Sequence, residues 1–412
     1  MSTTPAQKTA PAAGAPNPID EISALIRSEQ QSLVSDRHGA RKAGFLCNYT
    51  PQEVLAAAGV RHARIFKGGD ASRAAAGELF TQSVFCDFTK SCIGGFEQGD
   101  PLYKAFDKVY NFHTCATMKR ATEVIENYVP VRLLNLPKLR KNPDSRAFFR
   151  EEILRFRDDL AQLTGSPPVG DDALLEQIRL HNAVRRELRA ISALRKRPHP
   201  PLTGGEFVDI VRAFYYVEPA KLLPCLQRLH AHYAARPAPA NLAPPIRLQV
   251  AGSIIADGDR RILDIAENEL GTRVVVEDHC AGVRPFCHTI PEDGDPWLAL
   301  ANGYLDQSPC ARQRPLGDAV DFSAGLADEY KVDGVLYVFL KFCACYGVPQ
   351  RDFIQRHQAA GRPVLVLSSD YSESDRGQLL TRMEAFIDVI REGKAAPGPP
   401  PSLPASLGSA AL

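Results

Sequence analysis

The sequence predicts an α/β protein: two parallel-sheet regions separated by a helical middle segment. Three observations carry this reading. Short apolar, strand-like runs alternate with helix-like stretches in two separate parts of the chain, which is the pattern of βαβ units. Between those parts, residues 145–233 lose the alternation and carry helical periodicity. Finally, Cys86, Cys115 and Cys343 each close an apolar run and each stand just before a helix-like one.

Taken in order, residues 1–18 are rich in Ala, Pro, Thr and Gly and are expected to be a disordered tail. A first α/β domain is expected over 19–144, opening with a helix at 19–33. Its strands are expected at 43–46, 63–66, 79–85, 108–112 and 129–134, and its helices at 51–58 and 118–128. The helical segment, 145–234, divides into stretches at 147–163, 171–194, 208–216 and 220–233. In the second of these, Leu174, Ile178, Val184, Leu188, Ile191 and Leu194 form an apolar stripe, and Asp171 and Asp172 suit the N-terminus. Its basic residues Arg185, Arg186, Arg189, Arg195, Lys196 and Arg197 are expected to form a solvated face. Residues 235–245, rich in Pro and Ala, read as a linker. The second α/β domain, 246–393, has expected strands at 246–251, 273–277, 334–340 and 363–367. Its helices are expected at 259–269, 296–305, 321–330, 351–360 and 375–391. A second disordered tail is expected over 394–412.

The 412 residues are 44% hydrophobic and 24% charged, with a formal net charge of +1, so no strong field points to a nucleic-acid or membrane partner. The longest apolar run, around 335–342, is too short to span a bilayer. The N-terminus shows no basic region followed by an apolar one, so a cytoplasmic protein is expected. No GxGxxG follows a strand, and no GxxxxGK[ST], GxSxG or HExxH occurs. If the chemistry needs ATP, this chain does not bind it through a Walker-type loop.

Ten cysteines remain to be explained, and none makes a CxxC pair. In open parallel sheets ligands gather at the carboxyl ends of strands. Helix N-termini beyond Cys86, Cys115 and Cys343 would stabilise thiolates there. Soft thiolates suit an iron–sulfur cluster or zinc, while buried structural cysteines would give the same spacing without metal.

The segments Gly44-Phe-Leu-Cys-Asn-Tyr-Thr-Pro-Gln-Glu-Val with Ala57-Ala-Gly, Cys86-Asp-Phe-Thr-Lys-Ser and Cys115-Ala-Thr-Met-Lys-Arg form an ordered series. It continues with Glu277-Asp-His-Cys-Ala-Gly-Val-Arg, Asp333-Gly-Val, Lys341-Phe-Cys and Asp370-Tyr-Ser-Glu-Ser-Asp-Arg-Gly-Gln-Leu-Leu-Thr-Arg-Met-Glu-Ala-Phe. In order and spacing the series resembles the D-component family of 2-hydroxyacyl-CoA dehydratases, which includes ATP-dependent benzoyl-CoA reductase subunits. The likeness covers about residues 40–392. It implies two Rossmann- or flavodoxin-like parallel-sheet domains with a helical part between them. It implies a [4Fe-4S] cluster held by three cysteines, which match Cys86, Cys115 and Cys343 here, with one iron left open. The implied partners are a related second subunit, an acyl-CoA substrate and a separate iron–sulfur ATPase activator that injects single electrons. The implied chemistry, typical of anaerobic metabolism, adds one electron to the thioester carbonyl. The resulting ketyl radical anion expels the 2-hydroxyl and makes the β-proton more acidic; a reductase relative would reduce an aromatic ring instead.

Other residues are weaker candidates. Glu53, in the segment resembling the family's substrate entrance, is a candidate general base, a helix-start carboxylate being the plain alternative. Cys47 reads as structural or as lining the site. Lys90, Lys119 and Lys341 lie close in sequence to a matched cysteine and could offset cluster charge, solvated lysines being the equal alternative; Gln378 and Arg382 read as packing or hydrogen-bonding residues. Some relatives carry a double-cubane [8Fe-9S] cluster, act as homodimers and reduce small molecules. The surplus cysteines at 92, 280, 287, 310 and 345 suit that reading, and the lack of one between Cys92 and Cys115 departs from it. A non-catalytic electron-relay subunit is the remaining alternative.

Overall fold

The computed structural model describes residues 18–36, 39–113, 115–240 and 242–395. Most of both expected tails, 1–17 and 396–412, therefore lies outside the described residues. The first sheet is wholly parallel and contains β1 (Lys42–Phe45), β2 (Arg61–Arg64), β3 (Lys108–His113) and β4 (Val131–Asn135), in the order β2-β1-β3-β4. Its helices are α1 (Pro18–Ser35), α2 (Gln52–Ala57), α3 (Ala71–Glu78), α4 (Asp87–Glu97), α5 (Pro101–Lys104) and α6 (Ala116–Ile125). Four helices follow: α7 (Pro143–Thr164), α8 (Asp171–Leu194), α9 (Gly204–Ala213) and α10 (Pro219–Ala235). The second sheet repeats the first in parallel sense and order. It contains β5 (Arg247–Gly252), β6 (Arg273–Asp278), β7 (Gly334–Leu340) and β8 (Val364–Ser369), ordered β6-β5-β7-β8. Around it lie α11 (Arg261–Asp264) with a π-helical turn at Ile265–Glu269, α12 (Pro296–Asp306), α13 (Gly317–Glu329), α14 (Ala344–Gly347), α15 (Gln350–Ala359) and α16 (Arg376–Ala395). Two Rossmann-like α/β units result, as expected.

The sheet order places the site. In each sheet the chain runs outward one way through its second strand, then returns to the far side of its first strand for the third. The crevice between those first and third strands, at their carboxyl ends, is the topological switch point where open α/β sheets bind ligands. Here that means the ends of β1 and β3 in one sheet and of β5 and β7 in the other. At the end of β5, Gly252 has φ 117°, and a Cβ there would meet the Val338 carbonyl oxygen at 2.1 Å. A glycine is needed for that close approach to β7.

Two expectations fail. Residues 79–85 are not a strand. Their backbone bonds are local turns, Phe80 N to Gly77 O, Thr81 N to Glu78 O and Phe85 N to Gln82 O, and Leu79, Phe80 and Val84 stay exposed. The polar Thr81-Gln-Ser in the middle leaves too little apolar surface for a strand buried on both faces, so α3 and a turn precede Cys86 instead. The basic face of α8 is also not all solvated. Arg185 and Arg195 are 2% and 0% exposed and pair with Glu53 and Glu277. The apolar stripe of α8 is buried throughout, so a wide arc of the helix faces inward and takes these two arginines with it.

Candidate metal centre

Three helices begin at the matched cysteines. Cys86 is the N-cap of α4, Cys115 of α6 and Cys343 of α14, all with non-helical backbone, and none spends its side chain on a capping bond. Each thiol therefore stays available while the unpaired N–H groups of a helix start favour negative charge beside it. Phe342, just before Cys343, has φ 65° and is exposed, a strained backbone for a non-glycine residue at the point where β7 turns into the site.

All three line one cavity of about 130 Å³ between the two switch points. Loops after β1, β3, β5, β6 and β7 converge on it, and Leu46, Phe88, Met118, Ile254 and Leu340 give it apolar walls. Cys47, Cys280, Cys310 and Cys345 line it too, so seven of the ten cysteines share one space. The free thiols influence one another in series, Cys86 with Cys343, Cys343 with Cys345 and Cys345 with Cys115, forming a chain of thiols. Thr89 and Thr117, in the first turns of α4 and α6, tie its ends together. Thr89 lies 3.3 Å from the Cys86 sulfur, Thr117 lies 3.0 Å from that of Cys115, and the two hydroxyls are 3.3 Å apart. The Arg312 guanidinium donates to Cys345 and, at 3.8 Å, to Cys115.

The electrostatics separate these thiols. The neighbouring Cys345 thiol holds Cys115 down at about 5 against its burial, helped by Thr117, the Met118 N–H and Arg312. Bonds from Cys345 and Cys86 likewise hold Cys343 down at about 3. Cys86 and Cys345 are pushed up, Cys86 chiefly by Cys343 and Cys345 chiefly by Cys115. Burial raises Cys47 to about 12 and also raises Cys310. Arg64 reaches the Cys280 sulfur at 3.2 Å and its carbonyl at 2.8 Å.

Among the described residues, no three His, Cys, Asp or Glu side chains converge closely enough to hold a single metal ion. Thiols at three helix starts, in a largely apolar cavity with Arg312 beside them, fit an anionic iron–sulfur cluster in donor chemistry and charge.

The other candidates fall elsewhere. Glu53 is fully buried, bonded to Arg185 at 2.5 Å and to the Tyr304 hydroxyl at 2.8 Å, and it does not line the cavity. Burial pushes its carboxyl up, but Arg185 and His181 outweigh that and hold it at about 2. A carboxylate so engaged is a poor proton acceptor. Lys90 is buried against Asp87 and Glu78, and Lys341 pairs with Asp370. Lys119 faces a neighbouring groove. Cys92 is fully buried beside the Ile65 carbonyl, and Cys287 does not line the cavity. Gln378 is exposed, and Arg382 donates to the Val366 carbonyl. Sequence reading missed Thr89, Thr117, Arg64 and Arg312. The threonines carried a signal, a hydroxyl one helical turn or less past each cysteine; the arginines reach the site only through the fold.

Fold and site thus define a two-sheet α/β protein with a thiol-lined centre between its sheets. Residues 47–390 match the model of the family described as 2-hydroxyglutaryl-CoA dehydratase, D-component, and the chain belongs to that family. It is similar to YjiM of Escherichia coli strain K12, whose name marks it provisionally as a dehydratase subunit (29% identical over 84% of this chain and 91% of that one). It is also similar to the beta subunit of (R)-2-hydroxyglutaryl-CoA dehydratase from Acidaminococcus fermentans (24% identical over 90% of this chain and 100% of that one). A third relative is one of the subunits of benzoyl-CoA reductase from Thauera aromatica (23% identical over 72% of this chain and 76% of that one).

Proposed function

We propose that this chain is the iron–sulfur subunit of a radical 2-hydroxyacyl-CoA dehydratase, or of an ATP-dependent reductase of the benzoyl-CoA type. The carrying observation is that Cys86, Cys115 and Cys343 start three helices on one apolar cavity between two switch points. When bound, a [4Fe-4S] cluster would supply one-electron transfer and Lewis acidity. The chain's own residues would do the rest. The three helix starts stabilise thiolates, Thr89 and Thr117 fix two of them, and Arg312 balances negative charge at the rim. The apolar walls keep water from a reactive thioester. The dehydratase and reductase relatives are each named as a subunit of their enzyme, which supports a related second subunit as partner. No phosphate loop occurs in the sequence, which fits a separate ATPase activator.

A second reading is favoured by Cys47, Cys280 and Cys310. They line the same cavity as the first three and could hold the other half of a double-cubane [8Fe-9S] cluster in a homodimeric reductase. The test of the main reading is Cys115→Ser in anaerobically purified protein. Iron and activity should both be lost, and wild-type activity should need an added activator and a strong reductant. Full iron in the variant would remove Cys115 as a ligand, and turnover without activator would remove the radical mechanism.

A further inference from the structure

Three arginines line the thiol cavity, Arg64, Arg284 and Arg312, and among the described residues no carboxylate does. Arg284 is neutralised by Asp278 at 3.0 Å, and Arg312 meets Cys345 and Cys115. Arg64 is different. It is the last residue of β2, it is 2% exposed, and it makes no ion pair with a carboxylate among the described residues. Arginines buried as deeply on α8 each have one, Arg185 pairing with Glu53 and Arg195 with Glu277. The Arg64 guanidinium donates instead to the Leu46 carbonyl at 3.3 Å, the Cys280 carbonyl at 2.8 Å and the Cys280 sulfur at 3.2 Å. Leu46 and Cys280 both belong to the cavity wall. The rings of Tyr215 and Phe66 lie 4.7 and 5.1 Å from the central guanidinium carbon. So fixed, the group cannot swing out to water.

A guanidinium keeps its proton in a protein, so burial cannot be relieved by neutralisation. Holding it in a low-dielectric wall without a counter-charge is costly. The two carbonyls solvate it but do not neutralise it. The cavity beside it is where the missing negative charge belongs. A [4Fe-4S] core held by three thiolates is formally a monoanion when oxidised and a dianion after taking up one electron. A fixed cation in the wall favours the dianion, and cluster potentials follow net charge in this way. We propose that Arg64 is a positioning residue for electron uptake, a buried counter-charge that raises the reduction potential of the cluster in the thiol cavity. The proposal rests on the iron–sulfur reading above and adds to it a residue that holds no iron. The step it assists is a one-electron reduction. The electron comes from a strong external reductant, and no bond to Arg64 forms or breaks.

The experiment is a reductive titration of the anaerobically purified holoprotein, followed by electron paramagnetic resonance. It compares wild type with Arg64→Gln and Arg64→Lys, and iron is counted on every sample. At the wild-type midpoint the ratio of reduced to oxidised cluster should be about tenfold lower in Arg64→Gln, equivalent to about 59 mV for one electron. Arg64→Lys keeps the charge without the planar fork and should stay close to wild type. Full iron and a wild-type potential in Arg64→Gln would overturn the proposal and leave Cys280 as the group that neutralises Arg64. A shift in Arg64→Lys as large as that in Arg64→Gln would also overturn it, since shape rather than charge would then set the potential. Should Arg64→Gln lose its iron, Arg64→Lys decides. Iron retained there at a wild-type potential upholds the counter-charge, and iron lost from both variants overturns it in favour of packing. Two failures stay apart. Wild type with iron and variants of unchanged potential lose only the role of Arg64, whereas wild type without iron loses the functional reading as well.

Discussion

Buried between Arg185 and Tyr304, Glu53 ties the first sheet's α2 to α8. Its carboxyl is held at about 2, below the ordinary 4.5, so the folded state prefers it ionised. The stabilisation it gives is therefore complete above about pH 4.5 and is lost as pH falls toward 2. Glu53→Gln leaves the Arg185 charge buried without its partner and should cost roughly 3–5 kcal/mol. Thermal melts at neutral pH should show the variant melting lower, with the gap closing as the pH is taken down toward 2. A variant as stable as wild type, but inactive with iron intact, would restore the general-base role. Sequence alone could not separate the two. A carboxylate at a helix start looks the same whether it faces substrate or an arginine more than a hundred residues away, and the run of basic residues that hid Arg185 looked like solvent-facing charge.

The element that delivers Cys86 is α4, and it lies almost backbone to backbone against α3. A Cβ on Gly94 would meet the Arg73 carbonyl oxygen at 1.8 Å, and one on Gly77 would meet that of Lys90 at 1.9 Å. No side chain can move aside to relieve a contact with backbone, so Gly94→Ala should cost about 1–3 kcal/mol and displace the helix whose first turn holds Cys86. Iron retained after anaerobic purification should fall in parallel with melting temperature. Gly325→Ala, on α13 with nothing within 4 Å, is the control and should be neutral or slightly stabilising. Unchanged iron in Gly94→Ala would show that the α3–α4 contact does not position the site. These elements were unequally legible in the sequence. The strands at 43–46, 108–112 and 334–340 could be placed because short apolar runs alternated with helical ones. The helix Ala71–Glu78 went unseen, since its Ala and Gly residues suit close approach and give no apolar period. The supposed strand at 79–85 was the same error in reverse, apolar residues counted without asking whether a neighbouring strand was there to cover them.

On the scale of the whole molecule, loops from both α/β units meet at one cavity, and α8 ties the two units together. Arg185 binds Glu53 of the first unit and the Pro285 carbonyl of the second, and Arg195 binds Glu277 with its guanidinium 3.6 Å from the centre of the Phe207 ring. Holding the units in this relation brings Cys86 and Cys115 from one and Cys343 from the other to a single cavity. The three thiols could be picked out in the sequence because each precedes a helix. The gathering of Cys47, Cys280, Cys310 and Cys345 around them could not, because it depends on which loops converge once both sheets are in place. The account therefore turns on how much iron that cavity holds. The direct measurement is iron and acid-labile sulfide per chain in anaerobically purified protein, repeated with serine at Cys86, Cys115 and Cys343 and, separately, at Cys47, Cys280 and Cys310. The account predicts about four irons, lost in the first set and kept in the second. About eight irons, reduced by half in the second set, would favour the double-cubane reading; a chain with no iron, or with iron indifferent to the first three cysteines, would contradict the account.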